Sequence, residues 1–340
     1  MSKQILNLAQ VWNAVASKSD KPLRPRNYEY ASSLGGAMYD RYLKMKGVPY
    51  TNPPNQRSLR KFLAGNVWEY VTKQIFLCTG VFRKDEIVVN TSPFSDCIEV
   101  HGRIDYRVGG VIDADEAMSR LDEMQAPEYL YVVAAKIIEY LTGNEYEISN
   151  FELKSCSSFA MDKLERTNEP LYNNASQAYY YKRGSGIDTQ LAYICKDDCR
   201  MAQFGIGDEY ETLLRDDLLQ ITHYYTKDKT PPLEPLIKFT PKLAKFEKNF
   251  GVEYSPYLSH YGFENPDEYR ESIKHVESWN RVIERFFRAE MGYKTATGQS
   301  IKITDKNKAV KAHIESSGYN FNEILEAKIK VGADDDSDDE

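Results

Sequence analysis

The sequence predicts an α/β fold: a central mixed β-sheet flanked by helices, with a helical insertion in the sheet-forming part and a mainly helical C-terminal region. Three observations predict it. Segments with apolar residues at helical spacing interleave with segments of alternating pattern through the first two thirds of the chain. From about residue 208 the helical pattern dominates. With 340 residues, 41% of them hydrophobic and 12% aromatic, the chain has enough apolar material for one large core or two ordinary ones.

Residues 28–47 (YEYASSLGGAMYDRYLKMKG) read as a helix, ended by Gly47 and the turn-rich PYTNPPN. Over 57–77, Leu59, Phe62, Leu63, Val67, Val71 and Ile75 recur at helical spacing, and Asn55 is placed to cap the start. Gly65 and Glu69 are one turn apart on that helix and share a face. The period then changes to two. EIVVN (86–90) and the run from Ile98 to Val108 read as strands joined through the polar TSPFSD. Residues 114–142 return to helical spacing, with Pro127 suited to the first turn of YLYVVAAKIIEYL. EISNFELKS (147–155) reads as a strand, NNASQAYYYKR (173–183) as a helix stopped by GSG, and IDTQLAYICKDDCRMAQFGI as one or two further strands. In the C-terminal region, Asn265-Pro266-Asp267-Glu268 is a helix start, and that helix is predicted to run to Gly292. The chain contains no internal repeat.

Charge is unevenly distributed. The net charge of -7 comes largely from the last seven residues, DDDSDDE; without those acids the chain is near neutral, with 51 Asp and Glu in all against 44 Lys and Arg. Residues 331–340 have little to bury and repel themselves, so a disordered acidic tail is predicted. Residues 1–84 carry fourteen Lys and Arg against four acids, a basic front suited to a polyanion. No window reaches the roughly 18 apolar residues of a membrane span, and MSKQILNLAQVWNAVASKSD lacks the basic-then-apolar pattern of a secretory signal. Five scattered cysteines, an odd number, do not make a disulfide framework. The expectation is a soluble, cytoplasmic protein in a reducing compartment, with no membrane partner.

Four short segments carry candidate chemistry. His101-Gly102-Arg103-Ile104-Asp105 puts an acid on a strand beside a glycine. In Phe151-Glu152-Leu153-Lys154-Ser155 strand alternation projects Glu152 and Lys154 to one side and Leu153 to the other. An acid and an amine on one face, beside an acid from a neighbouring strand, make a place for a hard divalent cation with a lysine against the water it holds. Such cations take oxygen ligands and typically bind through one or two carboxylates plus substrate phosphates, a layout for phosphodiester cleavage. Gln177 and Tyr181 lie one helical turn apart and can hydrogen-bond at a common site. Glu69, one turn from Gly65, offers a further carboxylate. Each piece alone has an ordinary explanation as surface ion pair, turn or packing; their order along the predicted elements is what points to function.

The set Gly65-x-x-x-Glu69, Gly102-Arg103-Ile104-Asp105, Glu152-Leu153-Lys154 and Gln177-x-x-x-Tyr181 resembles the PD-(D/E)XK nuclease superfamily, in its RecB-like, phage-exonuclease-related branch. The resemblance covers about residues 26–206 and extends to ASSLGGAMYDRYLKMKG, similar to the segment before the first motif of that branch. It implies a restriction-endonuclease-like core and a Mg²⁺- or Mn²⁺-dependent deoxyribonuclease, an exonuclease of phage or bacterial DNA recombination, repair or replication. It assigns Asp105, Glu152 and the carbonyl of Leu153 as metal ligands, with Glu69 completing the metal site. Lys154 would orient or polarise the attacking water and stabilise phosphate charge, and Gln177 and Tyr181 would support the site and the nucleic-acid backbone. Many relatives have His where Glu69 stands. The stretch from Asp105 to Glu152 is long for neighbouring strands and implies the helical insertion at 114–142; Asp113 and Asp115 within it are rival acids.

Some members of the family hold an iron–sulfur cluster on one early and three late cysteines. Here Cys195 and Cys199 have no third partner after them, so no iron–sulfur cluster is expected. Cys156 reads as a small buried residue, and His101, His223, His260, His275 and His313 make no zinc spacing. The predicted organisation is a basic N-terminal helical segment (1–55), a nuclease core (56–206), a helical region (207–330) and the tail (331–340). DNA is the expected partner, with a helicase, recombinase or single-strand-binding protein as a docking candidate for 207–330. The rivals are a nuclease-fold subunit without cleavage and an RNA-directed nuclease.

Overall fold

A computed structural model describes residues 23–78, 82–125 and 127–335. The fold is α/β with a mixed central sheet flanked by helices, and it divides into two units: one runs to Pro49 and from Pro53 to Pro232, the other comprises Tyr50–Asn52 and Leu233 onward.

In the first unit β1 (Tyr28–Tyr30), β2 (Phe82–Thr91), β3 (Glu99–Val111), β4 (Glu145–Cys156), β5 (Thr189–Cys195) and β6 (Met201–Gly205) form one sheet in the order β1-β3-β4-β5-β6, with β2 paired to β3. β3 is the pivot. β2 runs antiparallel along it, Phe82↔Val108 to Thr91↔Val100. A strand has two edges, so β1 and β4 share the other one: β1 pairs parallel with Glu99–His101, and β4 antiparallel from Tyr106↔Phe151 to Val111↔Glu145. Between them, no strand of the described residues lies alongside Gly102–Asp105 on that edge. The gap opens where the sequence placed its Gly-x-x-Asp segment.

The helices of this unit are α1 (Met38–Met45), α2 (Gln56–Cys78), α3 (Ala114–Glu123), α4 (Glu128–Leu141), α5 (Ser158–Thr167), α6 (Tyr172–Ser185) and α7 (Tyr210–Thr226). The insertion between β3 and β4 is the helix pair α3–α4, which buries Ala117, Leu121, Ala134 and Ile138 against Tyr106, Val108 and Ile112. Asp113 caps α3, its carboxylate accepting the Glu116 N–H at 3.0 Å. α2 begins as its pattern predicted, with Asn55 accepting the Ser58 N–H. α6 is buried from Ala175 to Tyr181 without an exposed stripe, which explains why no clean amphipathic pattern marks it.

Several sequence expectations are corrected. Residues 28–47 are not one helix: Tyr28–Tyr30 is a strand on the edge of β3, and the left-handed Gly35 separates it from α1. The helical stretch 114–142 is broken at Gln125, which has φ 47°. The expected 207 boundary lies instead at 233, because α7 buries Leu214, Leu218 and Ile221 in the first unit and its Asp217 meets Arg41 of α1. Residues 23–49 likewise belong to the first unit rather than to a separate segment.

The second unit is not all helical. It holds a hairpin of β7 (Ile237–Thr240) and β8 (Lys245–Lys248), followed by α8 (Phe250–Glu253), α9 (Pro266–Ser272), α10 (Val276–Glu290), α11 (Asp305–Ser316) and α12 (Phe321–Asp335). Phe246 of the hairpin packs edge-on against Trp279 and Tyr319, an aromatic core whose centroids lie 4.9 and 4.7 Å from Phe246. Asn265 caps α9 as expected, but the helix predicted to reach Gly292 is interrupted between Ser272 and Val276. α12 runs through Asp335, so the first half of the expected disordered tail is helical; residues 336–340 lie outside the described part.

Candidate functional site

The edge gap of β3 is filled by side chains. The Tyr181 hydroxyl donates to the Arg103 carbonyl at 3.0 Å and accepts the Arg103 N–H at 3.3 Å, so one side chain replaces a missing strand. Gly102 makes room for that ring: a Cβ there would stand 2.6 Å from Tyr181 Cε1 and 2.7 Å from the Ala31 Cβ. Three residues after Gly102, the Asp105 carboxylate reaches across the fork to β4 and accepts the Leu153 N–H at 2.9 Å. Asp105 is thereby fixed beside the Glu-x-Lys strand.

Glu152 is 3% exposed, and its Oε1 accepts from Lys154 Nζ at 2.5 Å and from Gln177 Nε2 at 2.9 Å. Gln177 also donates to the Tyr181 hydroxyl at 3.0 Å, the contact expected for residues one turn apart. The other carboxylate oxygen, Glu152 Oε2, is buried and has no hydrogen-bonding partner among the described residues. Asp105, Glu152, Leu153, Lys154, Gln177 and Tyr181, which are dispersed in sequence, are thus brought into one connected site.

Glu69 approaches from α2. A Cβ on Gly65 would lie 3.2 Å from Ser155 Oγ, so the glycine lets α2 run close to β4 just past Lys154. Glu69, one turn later and half-buried, is near enough to act electrostatically on Asp105, Glu152 and Lys154.

The electrostatics follow from burial. Desolvation pushes the Asp105 carboxyl well above the usual carboxylate range; the neighbouring Glu152 charge adds to this and Lys154 opposes it. Glu152 is pushed up for the same first reason, again opposed by Lys154. Burial alone would lower Lys154, but the carboxylates of Glu152, Asp105 and Glu69 together outweigh it and the ammonium is held more firmly protonated than usual. Lys154 is therefore a fixed cation here, not a base. Three carboxylates face one ammonium, an imbalance that favours a further cation.

Among the described residues no group of three or more His, Cys, Asp and Glu side chains stands ready to hold a metal. Asp105 and Glu152 with the Leu153 carbonyl nevertheless supply the two carboxylates and neutral oxygen that Mg²⁺ and Mn²⁺ accept. The orphaned Glu152 Oε2 is a buried acceptor of the kind such an ion satisfies. The residues fit the ion.

Other residues flagged by the sequence fall elsewhere. Asp113 is a helix cap, and His101 stacks on Tyr28 with centroids 3.8 Å apart. Much of the basic front is used internally: Arg41 is buried against Glu29 and Asp217, and Lys46 pairs with Asp228. Sequence reasoning missed Asn150, a buried hub that accepts from Arg107 and donates to Ser185 and the Ile187 carbonyl, tying β4 to the end of α6. An asparagine in a strand pattern gave no signal for that role.

No protein-family model matches the chain, and no curated protein does. A solved structure described as the crystal structure of SSO0001 is similar at 12% identity, covering 66% of this chain and 88% of that chain, with a TM-score of 0.36. A likeness of that size carries no argument about fold or function. Among the described residues no helix is long and apolar enough to cross a membrane.

Proposed function

We propose that the chain is a Mg²⁺- or Mn²⁺-dependent deoxyribonuclease with a restriction-endonuclease-like core, acting as an exonuclease in phage or bacterial DNA recombination, repair or replication. One observation carries the reading: Asp105, Glu152 and Lys154 meet at the β3–β4 fork, with Gln177 bonded to both Glu152 and Tyr181. Asp105, Glu152 and the Leu153 carbonyl would hold the divalent ion, with Glu69 adding negative potential. When bound, the ion supplies Lewis acidity toward the phosphate and a more acidic water.

The protein's own residues do the rest. The Leu153 N–H fixes the Asp105 carboxylate, and Gln177 fixes Glu152 Oε1, so both acids are oriented before substrate arrives. Lys154, held protonated, orients the attacking water and neutralises charge developing on the phosphate oxygens. With 26% of its side chain exposed, it can reach a phosphate without leaving the site. No side chain needs to be a covalent nucleophile in this reading.

The test compares end-labelled linear with circular DNA, and matched RNA strands, in Mg²⁺, Mn²⁺ or chelator, using the wild type and Glu152→Ala. Divalent-dependent loss of label from linear DNA only, absent in Glu152→Ala, is the expected result. Binding without cleavage in every metal would favour a DNA-binding or assembly subunit instead.

A further inference from the structure

Three thiols lie at one end of the sheet, and the proposed chemistry uses none of them. β4 ends at Cys156 and β5 at Cys195, and the two are register partners at the close of a parallel pairing that begins at Asn150↔Thr189. Register partners on neighbouring strands are about 4.8 Å apart at Cα and project to the same side. That separation falls inside the roughly 4.4–6.8 Å window in which two cysteines can be bridged. Both thiols are free and buried. Burial pushes the Cys156 thiol up to about 11, and Cys195 adds to the shift, which places the two sulfurs within electrostatic reach.

The third thiol is on the surface. Cys199 is free and exposed, in the turn from β5 to β6, where it adopts φ 62° and its N–H donates to the Cys195 carbonyl at 3.0 Å. That hydrogen bond brings the Cys199 backbone back to Cys195, so Cys195 neighbours one buried and one exposed cysteine.

We infer that Cys156 and Cys195 are a thiol–disulfide site, oxidised by low-molecular-weight disulfides that enter through Cys199. The Cys199 thiolate attacks one sulfur of the reagent disulfide, breaking its S–S bond and releasing one reagent thiol. The Cys195 thiolate then attacks Cys199 Sγ and expels the second reagent thiol, forming a Cys195–Cys199 bond. Attack of the Cys156 thiolate on Cys195 Sγ forms the Cys156–Cys195 bond and returns Cys199 as a thiol. In sum, two protein thiols lose two protons and two electrons, and the reagent disulfide gains them as two thiols. The link pins β4 to β5 two residues beyond Lys154, on the side of the strand that Glu152 and Lys154 share. It does not depend on the nuclease reading, because its readout is covalent.

The full chain, reduced and then exposed to oxidised glutathione, is quenched by alkylation and its cysteine peptides mapped by mass spectrometry. A dithiothreitol-reversible peptide pair joined through Cys156 and Cys195 is expected. Cys199→Ser should slow its formation by about tenfold or more, since buried thiols react slowly without a relay, and Cys156→Ala should stop at the Cys195–Cys199 bond. A glutathione adduct confined to Cys199, with Cys156 and Cys195 still fully alkylated after unfolding, would overturn the site. Equal rates in wild type and Cys199→Ser would overturn the entry route.

Discussion

At the scale of single residues, the site sets a buried carboxylate, Glu152, beside a half-buried one, Asp105, and this separates stability from activity. Both are desolvated around one shared ammonium, so the metal-free protein bears an electrostatic cost at this point. Asp105→Asn keeps an acceptor for the Leu153 N–H while removing one of the like charges. The metal-free variant is expected to melt at a higher temperature than the wild type and to have lost cleavage; a lower melting temperature would mean that the carboxylate is structural. Lys154→Ala is expected to lower the cleavage rate by about 10²–10³-fold, the usual effect of deleting one preorganised charge, with DNA binding measured by anisotropy little changed. Both roles were legible in the sequence because strand alternation alone puts Glu152 and Lys154 on one side. The partnering of Asp105 was not. Nothing in a one-dimensional pattern says that β4 leaves β3 just at Tyr106 and lets the carboxylate cross the fork to the Leu153 N–H.

At the scale of elements, the fork exists because β1 and β4 share one edge of β3, and side chains of α6 close the space between them. Tyr181 meets both backbone groups of Arg103, while the Tyr180 hydroxyl donates to the carbonyls of Val89 on β2 and Val100 on β3. α6 is thus fastened to the sheet by adjacent tyrosines, a cause for the Tyr run that ordinary packing would not require. Gly102→Ala puts a methyl where Tyr181 and Ala31 already stand. It is expected to cost about 1–3 kcal/mol of stability by overpacking and to reduce cleavage as well, measured by denaturant unfolding and by the linear-DNA assay. The glycine of the Gly-x-x-Asp segment was visible in the sequence; its reason, the ring from a helix some eighty residues later, was not. Misread elements share that origin. Tyr28–Tyr30, with Tyr at both ends, suits a strand but is too short to show a period of its own, and the open edge of β3 is what makes it one. Arg41 joins elements in the same way, with its guanidinium bonded to Glu29 of β1 and Asp217 of α7. Arg41→Ala would take the guanidinium from buried Glu29, leaving it Arg26 at 3.7 Å, and from half-buried Asp217, and is expected to destabilise the first unit by about 3 kcal/mol.

At the scale of the whole molecule, each unit closes its own core: the first around the sheet and its helices, the second around Phe246, Trp279 and Tyr319. The sequence located the helical character of the second unit but not its start, because α7 and α9–α12 share one periodicity and only burial assigns α7 to the sheet. Two cores imply two components of heat unfolding by calorimetry. All the proposed metal ligands lie in the first unit, so a divalent ion should act on one component alone. At about 100-fold excess over its dissociation constant, a ligand that binds only the folded form stabilises by about 2.7 kcal/mol, which raises the Tm of a unit of this size by roughly 5–10 °C. Mn²⁺ is expected to shift one component by that amount, chelator to reverse the shift, and Glu152→Ala to abolish it while the second component stays fixed. A shift common to both components, or one that survives Glu152→Ala, would show that the ion binds somewhere other than the β3–β4 fork.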